Sequence, residues 1–354
     1  MKLYTLLLKH ILCFLPALLL SGCDTILQYP ENDTPKREII VNVKHEQPWS
    51  LLEFEYPWDE VVRHDNSNDI FGIRYIFDIY PAGNTDKRID RFIIDRSSNR
   101  RDDFSTILKL APGTYDICVW TDSYDTSKPI SAGDYFYTTD DFSKMQVSTE
   151  PYIGNTERKD ALCGKFRIVV KPEGAMAEHL PAEVMLRRPL TAFAFISTDL
   201  REFIEEELSR REANNSTTLS EQQQAPDMST FDFSGYTARL HYTVYHPILF
   251  NMFVDKPIDA ALDIYFDSEI RLLENNEVLI GFDYFFINGE NSSSSISITI
   301  YNPQKQAISS AAPVKFHVQR NYATIIRGKF LTSKTSGSIG IQTEFDGDFN
   351  YPLK

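Results

Sequence analysis

Ala238-Arg239-Leu240-His241-Tyr242-Thr243-Val244-Tyr245 sets Ala238, Leu240, Tyr242 and Val244 on one side of an extended chain and Arg239, His241, Thr243 and Tyr245 on the other. A side-chain period of two is that of a β-strand, and one apolar face against one polar face marks a strand covered on one side. The same period recurs where Ile296, Ile298 and Ile300 alternate with Ser297, Thr299 and Tyr301, and where Val314, Phe316 and Val318 alternate with Lys315, His317 and Gln319. Two further runs, 277–288 and 192–196, are apolar nearly throughout, as in strands covered on both faces. From residue 37 onward, short β-branched and aromatic runs are separated by Gly, Pro, Asn and Asp, which is the pattern of an all-β chain. The strand-like run 166–170 breaks at Lys171-Pro172-Glu173-Gly174, which places a domain boundary there. One helix is expected over 199–212, where Phe203, Ile204 and Leu208 repeat at helical spacing behind an Asp199 cap. The polar stretch 214–230 that follows reads as a long exposed loop. The fold class is therefore all-β: two tandem β-sandwich domains, 37–172 and 173–354, with one short helix in the second.

Composition agrees with a globular chain and narrows its partners. The 354 residues are 42% hydrophobic and 24% charged, enough apolar surface for buried cores. With Lys+Arg 36 against Asp+Glu 50, the net charge of −14 repels phosphate backbones, so no nucleic-acid partner is expected.

Residues 1–22 read as a lipoprotein signal peptide. Lys2 and Lys9 precede the apolar run 11–20, which is too short to span a bilayer, and Leu20-Ser21-Gly22-Cys23 resembles a bacterial lipobox. Cleavage between Gly22 and Cys23 would leave Cys23 as the acylated terminus and take the formal charge from −14 to −16, since the lost segment carries two Lys and no acid. More than one acyl chain gives stable anchoring. Residues 23–36, polar and broken by Pro30 and Pro35, read as a tether. Cys118 and Cys163 then remain, either as a disulfide or as free buried thiols.

No catalytic, cofactor-binding or metal-ligating set emerges, and an enzyme is not expected. His241 and His246 would point to opposite sides of a regular strand. Neither Gly164-Lys165 nor Gly328-Lys329 follows a phosphate loop, and Gly-x-Ser-x-Gly is absent. Asp140-Asp141 reads as a solvated turn, and Asp346-Gly347-Asp348-Phe349-Asn350 begins like a calcium loop without its closing Glu.

Several segments carry a family resemblance. They are Leu110-Ala111-Pro112-Gly113-Thr114-Tyr115 running into Val119-Trp120, Tyr135-Phe136-Tyr137, and Tyr152-Ile153-Gly154-Asn155-Thr156. Further on come Leu186-Arg187-Arg188-Pro189-Leu190-Thr191, Phe195-Ile196-Ser197-Thr198-Asp199-Leu200, and Val318-Gln319-Arg320-Asn321-Tyr322. Together with the lipobox they resemble the fimbrillin-associated lipoproteins of Bacteroidales, the minor-fimbrium anchor proteins and their relatives. The resemblance implies transthyretin-like sandwiches on an outer-membrane lipid anchor facing the exterior, and a role as fimbrial anchor or accessory subunit. It also implies fimbrillin-like partners joined by strand addition, for which Ile39, Val41 and Val43, or Ile339, Ile341, Thr343 and Phe345, would suit. Arg37 would be a cut site for the Arg-directed protease that processes stalk subunits of this family. The alternative is a surface glycan-binding lipoprotein using Trp49, Trp58 and Trp120, although Trp120 lies in an apolar strand and reads as core.

Overall fold

The computed structural model describes residues 35–46, 70–96, 102–172, 181–214, 231–273, 275–334 and 345–352. Two β-sandwiches follow one another along the chain, as the alternation predicts. The first packs a three-stranded sheet, in the order β4 (Phe104–Leu110), β1 (Arg37–His45), β8 (Ala182–Leu186), on a four-stranded sheet. The order of that second sheet is β3 (Asp90–Arg96), β2 (Phe71–Pro81), β5 (Gly113–Asp125), β7 (Leu162–Val170). Between them lie Ile39, Val41, Val43, Tyr75, Phe77, Ile117, Val119, Val184 and Leu186, all buried.

The first sandwich does not end at Pro172. β8 pairs in parallel with β1, Val41 opposite Ala182 through His45 opposite Leu186, so residues assigned by sequence to the second domain complete the first. Gly164 on β7 allows this closure: a Cβ there would lie 2.6 Å from the Met185 carbonyl oxygen.

The second sandwich packs β13 (Tyr265–Glu269), β10 (Thr237–Tyr242), β16 (Asn291–Tyr301) and β17 (Ala307–Gln319) on a five-stranded sheet. The latter runs β14 (Arg271–Leu272), β15 (Val278–Phe286), β9 (Leu190–Ser197), β18 (Tyr322–Gly328), β19 (Phe345–Pro352). β9 and β15 are central and buried along their length, which explains their unbroken apolar sequence. The helix α1 (Leu200–Asn214) lays Leu200, Phe203 and Ile204 against Phe233 and Tyr236. The Asp199 carbonyl accepts the Phe203 N–H to open the helix, while its carboxylate accepts from Thr332 N, at 2.9 Å, and Oγ1, at 2.7 Å.

The alternation over 238–245 stops early. β10 ends at Tyr242, the chain turns, and Val244 and Tyr245 are exposed at 39% and 70%. The reason is a third, small sheet: β11 (His246–Asn251) leaves the sandwich to pair with β12 (Lys256–Ala261) and β6 (Met145–Gln146). β6 comes from the connection between β5 and β7, so this sheet sews the first sandwich to the second. The outer face of β2 and β5 is buried by the same connection: Ile76, Tyr80, Cys118 and Trp120 belong to the core of the second sandwich.

Candidate functional site

Three places can carry an interaction or bear load: the slot that holds β1, the edge at β19, and the junction between the sandwiches.

β1 is bonded along both edges. Against β4 it is antiparallel, Arg37 opposite Leu110 through Val43 opposite Phe104, and against β8 it is parallel. Ile39, Val41 and Val43 point inward and are 1%, 0% and 0% exposed, each burial stabilising by about 1.5–3 kcal/mol. At its end His45 is buried, its Nε2 lying 2.9 Å from the Tyr75 hydroxyl and its Nδ1 3.2 Å from Asp103 Oδ1. Burial would raise the Asp103 carboxyl, but the hydrogen bonds from His45 and the Lys44 ammonium hold it below the usual carboxylate range. The outward face carries Ile40 opposite Ile107.

β19 closes the five-stranded sheet. Its backbone pairs with β18 from Gly328 opposite Phe345 to Tyr322 opposite Pro352, and among the described residues it has no strand on its other side. An edge strand of this kind presents unpaired N–H and C=O groups to any extended chain.

The junction is polar and buried. Lys159, at the end of the 3₁₀ turn Glu157–Lys159, lies 2.6 Å from Asp283 Oδ1 on β15, and both are within 1% of complete burial. The Tyr152 hydroxyl accepts from Lys159 Nζ at 2.6 Å and donates to Asp283 Oδ2 at 2.5 Å. The Tyr242 hydroxyl donates to the same oxygen at 2.8 Å, and the Tyr284 N–H donates to Oδ1 at 2.8 Å. With the Tyr152 proton spent on Asp283, His246 Nε2, 2.8 Å from that hydroxyl, must be the donor, leaving Nδ1 as a bare acceptor. Burial, and after it the Lys159 ammonium, hold the His246 imidazole well below its ordinary range, so it is neutral in the fold. Two bidentate pairs flank the cluster: Arg188 on Asp160, and Arg320 on Asp255. The Arg188 and Arg320 side chains are buried, and each pair joins segments far apart in sequence.

His246 gives a measurable pH dependence. Below about pH 6.5 the unfolded chain binds a proton that the fold refuses, so stability falls as pH drops through that range, by up to about 1.4 kcal/mol per pH unit. Denaturant unfolding of the wild type and of His246→Gln between pH 7 and pH 5 tests this (~1 proton per molecule). The variant is expected to show the shallower slope, and equal slopes would contradict the assignment.

The residues singled out in the sequence fall as follows. Gly22, Cys23, Trp49, Trp58, Ile339, Ile341, Thr343 and the loop 215–230 lie outside the described residues. Arg37 is the first residue of β1, its guanidinium on the Pro172 carbonyl at 2.9 Å, so a cut after it would leave Ile39, Val41 and Val43 with the body of the protein. Trp120 is fully buried, edge-on to Tyr137, and is not a stacking surface. Asp140 and Asp141 are exposed, and Asp141 accepts from the Ser143 N–H and hydroxyl as a tight turn does. The stretch 346–350 is part of strand β19 rather than a loop.

Cys118 and Cys163 are free thiols. β5 and β7 pair Cys118 with Lys165 and Trp120 with Cys163, so the two cysteines are diagonal rather than directly opposite each other. Burial pushes each thiol up to about 12. A thiol-reactive dye is therefore expected to label neither in the folded protein and both after unfolding. Labelling of one in the native state would contradict this packing.

Sequence reading missed Lys159, Tyr152, His246 and Asp283 as a group. One signal was present: Asp283 is a lone carboxylate inside Ile280-Gly281-Phe282-Asp283-Tyr284-Phe285-Phe286, and a buried charge there requires a partner.

Comparison with solved structures finds the fimbrial anchor protein Mfa2 from Porphyromonas gingivalis at 9% identity and a TM-score of 0.42, covering 89% of this chain and 97% of that one. The tip fimbrial protein Mfa3 from Porphyromonas gingivalis, truncated at its carboxyl end, is similar at 9% identity and a TM-score of 0.39, covering 90% of this chain and 100% of that one. Comparison with curated proteins gives no match. A family model described as a family of unknown function, DUF6562, matches residues 44–354, and the chain belongs to that family.

Proposed function

We propose that this protein is a non-enzymatic cell-surface lipoprotein of a fimbrium, serving as anchor or accessory subunit and holding a fimbrillin-like partner by β-strand addition. The observation that carries the reading is the seating of β1. A strand near the amino terminus lies between two others, bonded on both edges and buried along one alternating face. Strand addition uses the same geometry: main-chain bonds give strength and alternate side chains in pockets give register. β19 supplies a second element, a strand that has no neighbour on its outer side among the described residues, so that a partner strand can pair there. The lipobox ending at Cys23 accounts for tethering to the outer membrane through acyl chains, and no helix among the described residues is long and apolar enough to cross a membrane. Trp120 is lost to the alternative glycan-binding reading by its burial.

The test is to replace the gene with a Cys23→Ala version and compare fimbrial protein on the cells with that shed into the medium. Intact polymers are expected to accumulate in the medium. Fimbriae attached as in the parent strain would overturn the anchor reading.

A further inference from the structure

The junction cluster holds more than an ion pair requires. An amine and a carboxyl are in contact, two hydroxyls converge on one carboxyl oxygen, and a backbone N–H holds the other. We propose that Lys159 and Asp283 condense to an intramolecular isopeptide bond that ties the two sandwiches covalently.

The chemistry balances without a co-reactant. The step starts with transfer of one proton within the pair, which gives a neutral amine and a carboxylic acid. The Lys159 Nζ lone pair attacks Asp283 Cγ, and Oδ1 takes the developing negative charge against the Tyr284 N–H. Tyr152 Oη bridges Nζ, at 2.6 Å, and Oδ2, at 2.5 Å, so it can accept a proton from the nitrogen while giving its own to the leaving oxygen. Tyr242 Oη polarises Oδ2 from the other side, at 2.8 Å. The C–N bond forms, the C–Oδ2 bond breaks, and Oδ2 departs as water with the carboxyl proton and the relayed one. No electron is gained or lost.

The surroundings support the step. Tyr152, Tyr242, His246 and Phe285 wall the site, each no more than 7% exposed, which keeps bulk water from reversing the condensation. Burial lowers the Lys159 ammonium pKa against the pull of Asp283, which increases the share of the nucleophilic amine. Holding both partners in contact within a rigid fold supplies the effective concentration that separate side chains lack. Position adds a reason for the bond. Lys159 sits on the connection between β6 and β7, next to the first sandwich, and Asp283 sits on the central β15 of the second. An amide there would carry tension that an ion pair would release.

Peptide mapping of the full chain extracted from membranes decides the matter. Trypsin cuts after a free Lys159 but not after an amidated one. The proposal predicts a branched species in which peptide 159–165 is joined to peptide 272–305 with the mass of one water missing. Recovery of linear 160–165 and linear 272–305 from correctly folded protein, with no branched species, would overturn it. Tyr152→Phe, which keeps the ring and removes the relay, is expected to lose the branched peptide from folded protein; unchanged yield would overturn the relay. Lys159→Arg retains the charge and cannot form the amide, so it marks the linear pattern. The wild-type map is decisive even where a variant fails to fold.

Discussion

Val41→Asp is expected to unfold the first sandwich. Val41 is 0% exposed, at the middle of the face that β1 turns towards Tyr75 and Phe77 of the opposite sheet, beside Val184 of β8. The change removes roughly 1.5–3 kcal/mol of apolar burial and buries a carboxylate in a hydrophobic core, for a combined loss of about 4 kcal/mol or more. Ile40→Asp, one residue away, is the control: Ile40 is 52% exposed on the outer face, and the cost there is expected within about 0.5 kcal/mol. Thermal unfolding of the two variants should therefore differ sharply although both add one charge to the same strand. Similar melting temperatures would mean that β1 does not hold the slot assigned to it.

The second large effect is at Arg74, whose fully buried guanidinium reaches Asp122 at 2.7 and 3.0 Å, Asp134 at 2.5 Å and the Ile130 carbonyl at 2.9 Å. Burial alone would lower the Arg74 pKa, but the two carboxylates hold it above its ordinary value. Asp122, by contrast, is pushed up by its own burial despite Arg74 beside it. Arg74→Met leaves that carboxyl without its counter-ion, and the expected loss is about 3–5 kcal/mol. The double variant Arg74→Met, Asp122→Leu should regain part of that loss, because the fully buried carboxyl is then gone, while Asp134 is partly exposed and keeps its hydrogen bonds from Thr139. Denaturant midpoints of the two variants check this, and a double variant less stable than the single one would contradict the account.

How much of this was legible in the sequence differs between local and distant features. The alternation of Ile296, Ile298 and Ile300 is fixed by one sheet face, and β16 carries it as read. The helix spacing of Phe203 and Ile204 likewise survives, because both belong to one element packed on one surface. β8 was beyond reach: five residues pair in parallel with a strand more than a hundred positions earlier, and nothing local in Ala182–Leu186 announces a partner. The turn after Tyr242 was hidden for the same reason, since it is imposed by the pairing of β11 with β6 and β12. Among the site residues, Arg37 is singled out only by the family resemblance and its place just before Ile39, and nothing local shows that its backbone pairs with Leu110 of β4. The buried cluster draws Tyr152, Lys159, His246 and Asp283 from separate segments, so only its odd member, the acid within β15, could have signalled it.

The central proposal is that the chain joins a fimbrillin-like partner through strand pairing rather than through side chains on a loop. Native detergent extraction of outer membranes, followed by sizing and mass analysis of the extracted chain, tests it most directly. The account predicts a stoichiometric complex with a fimbrillin-like subunit that disappears when residues 345–354 are deleted, while the remaining chain stays folded. Recovery of the full-length chain alone, as a monomer, would contradict it.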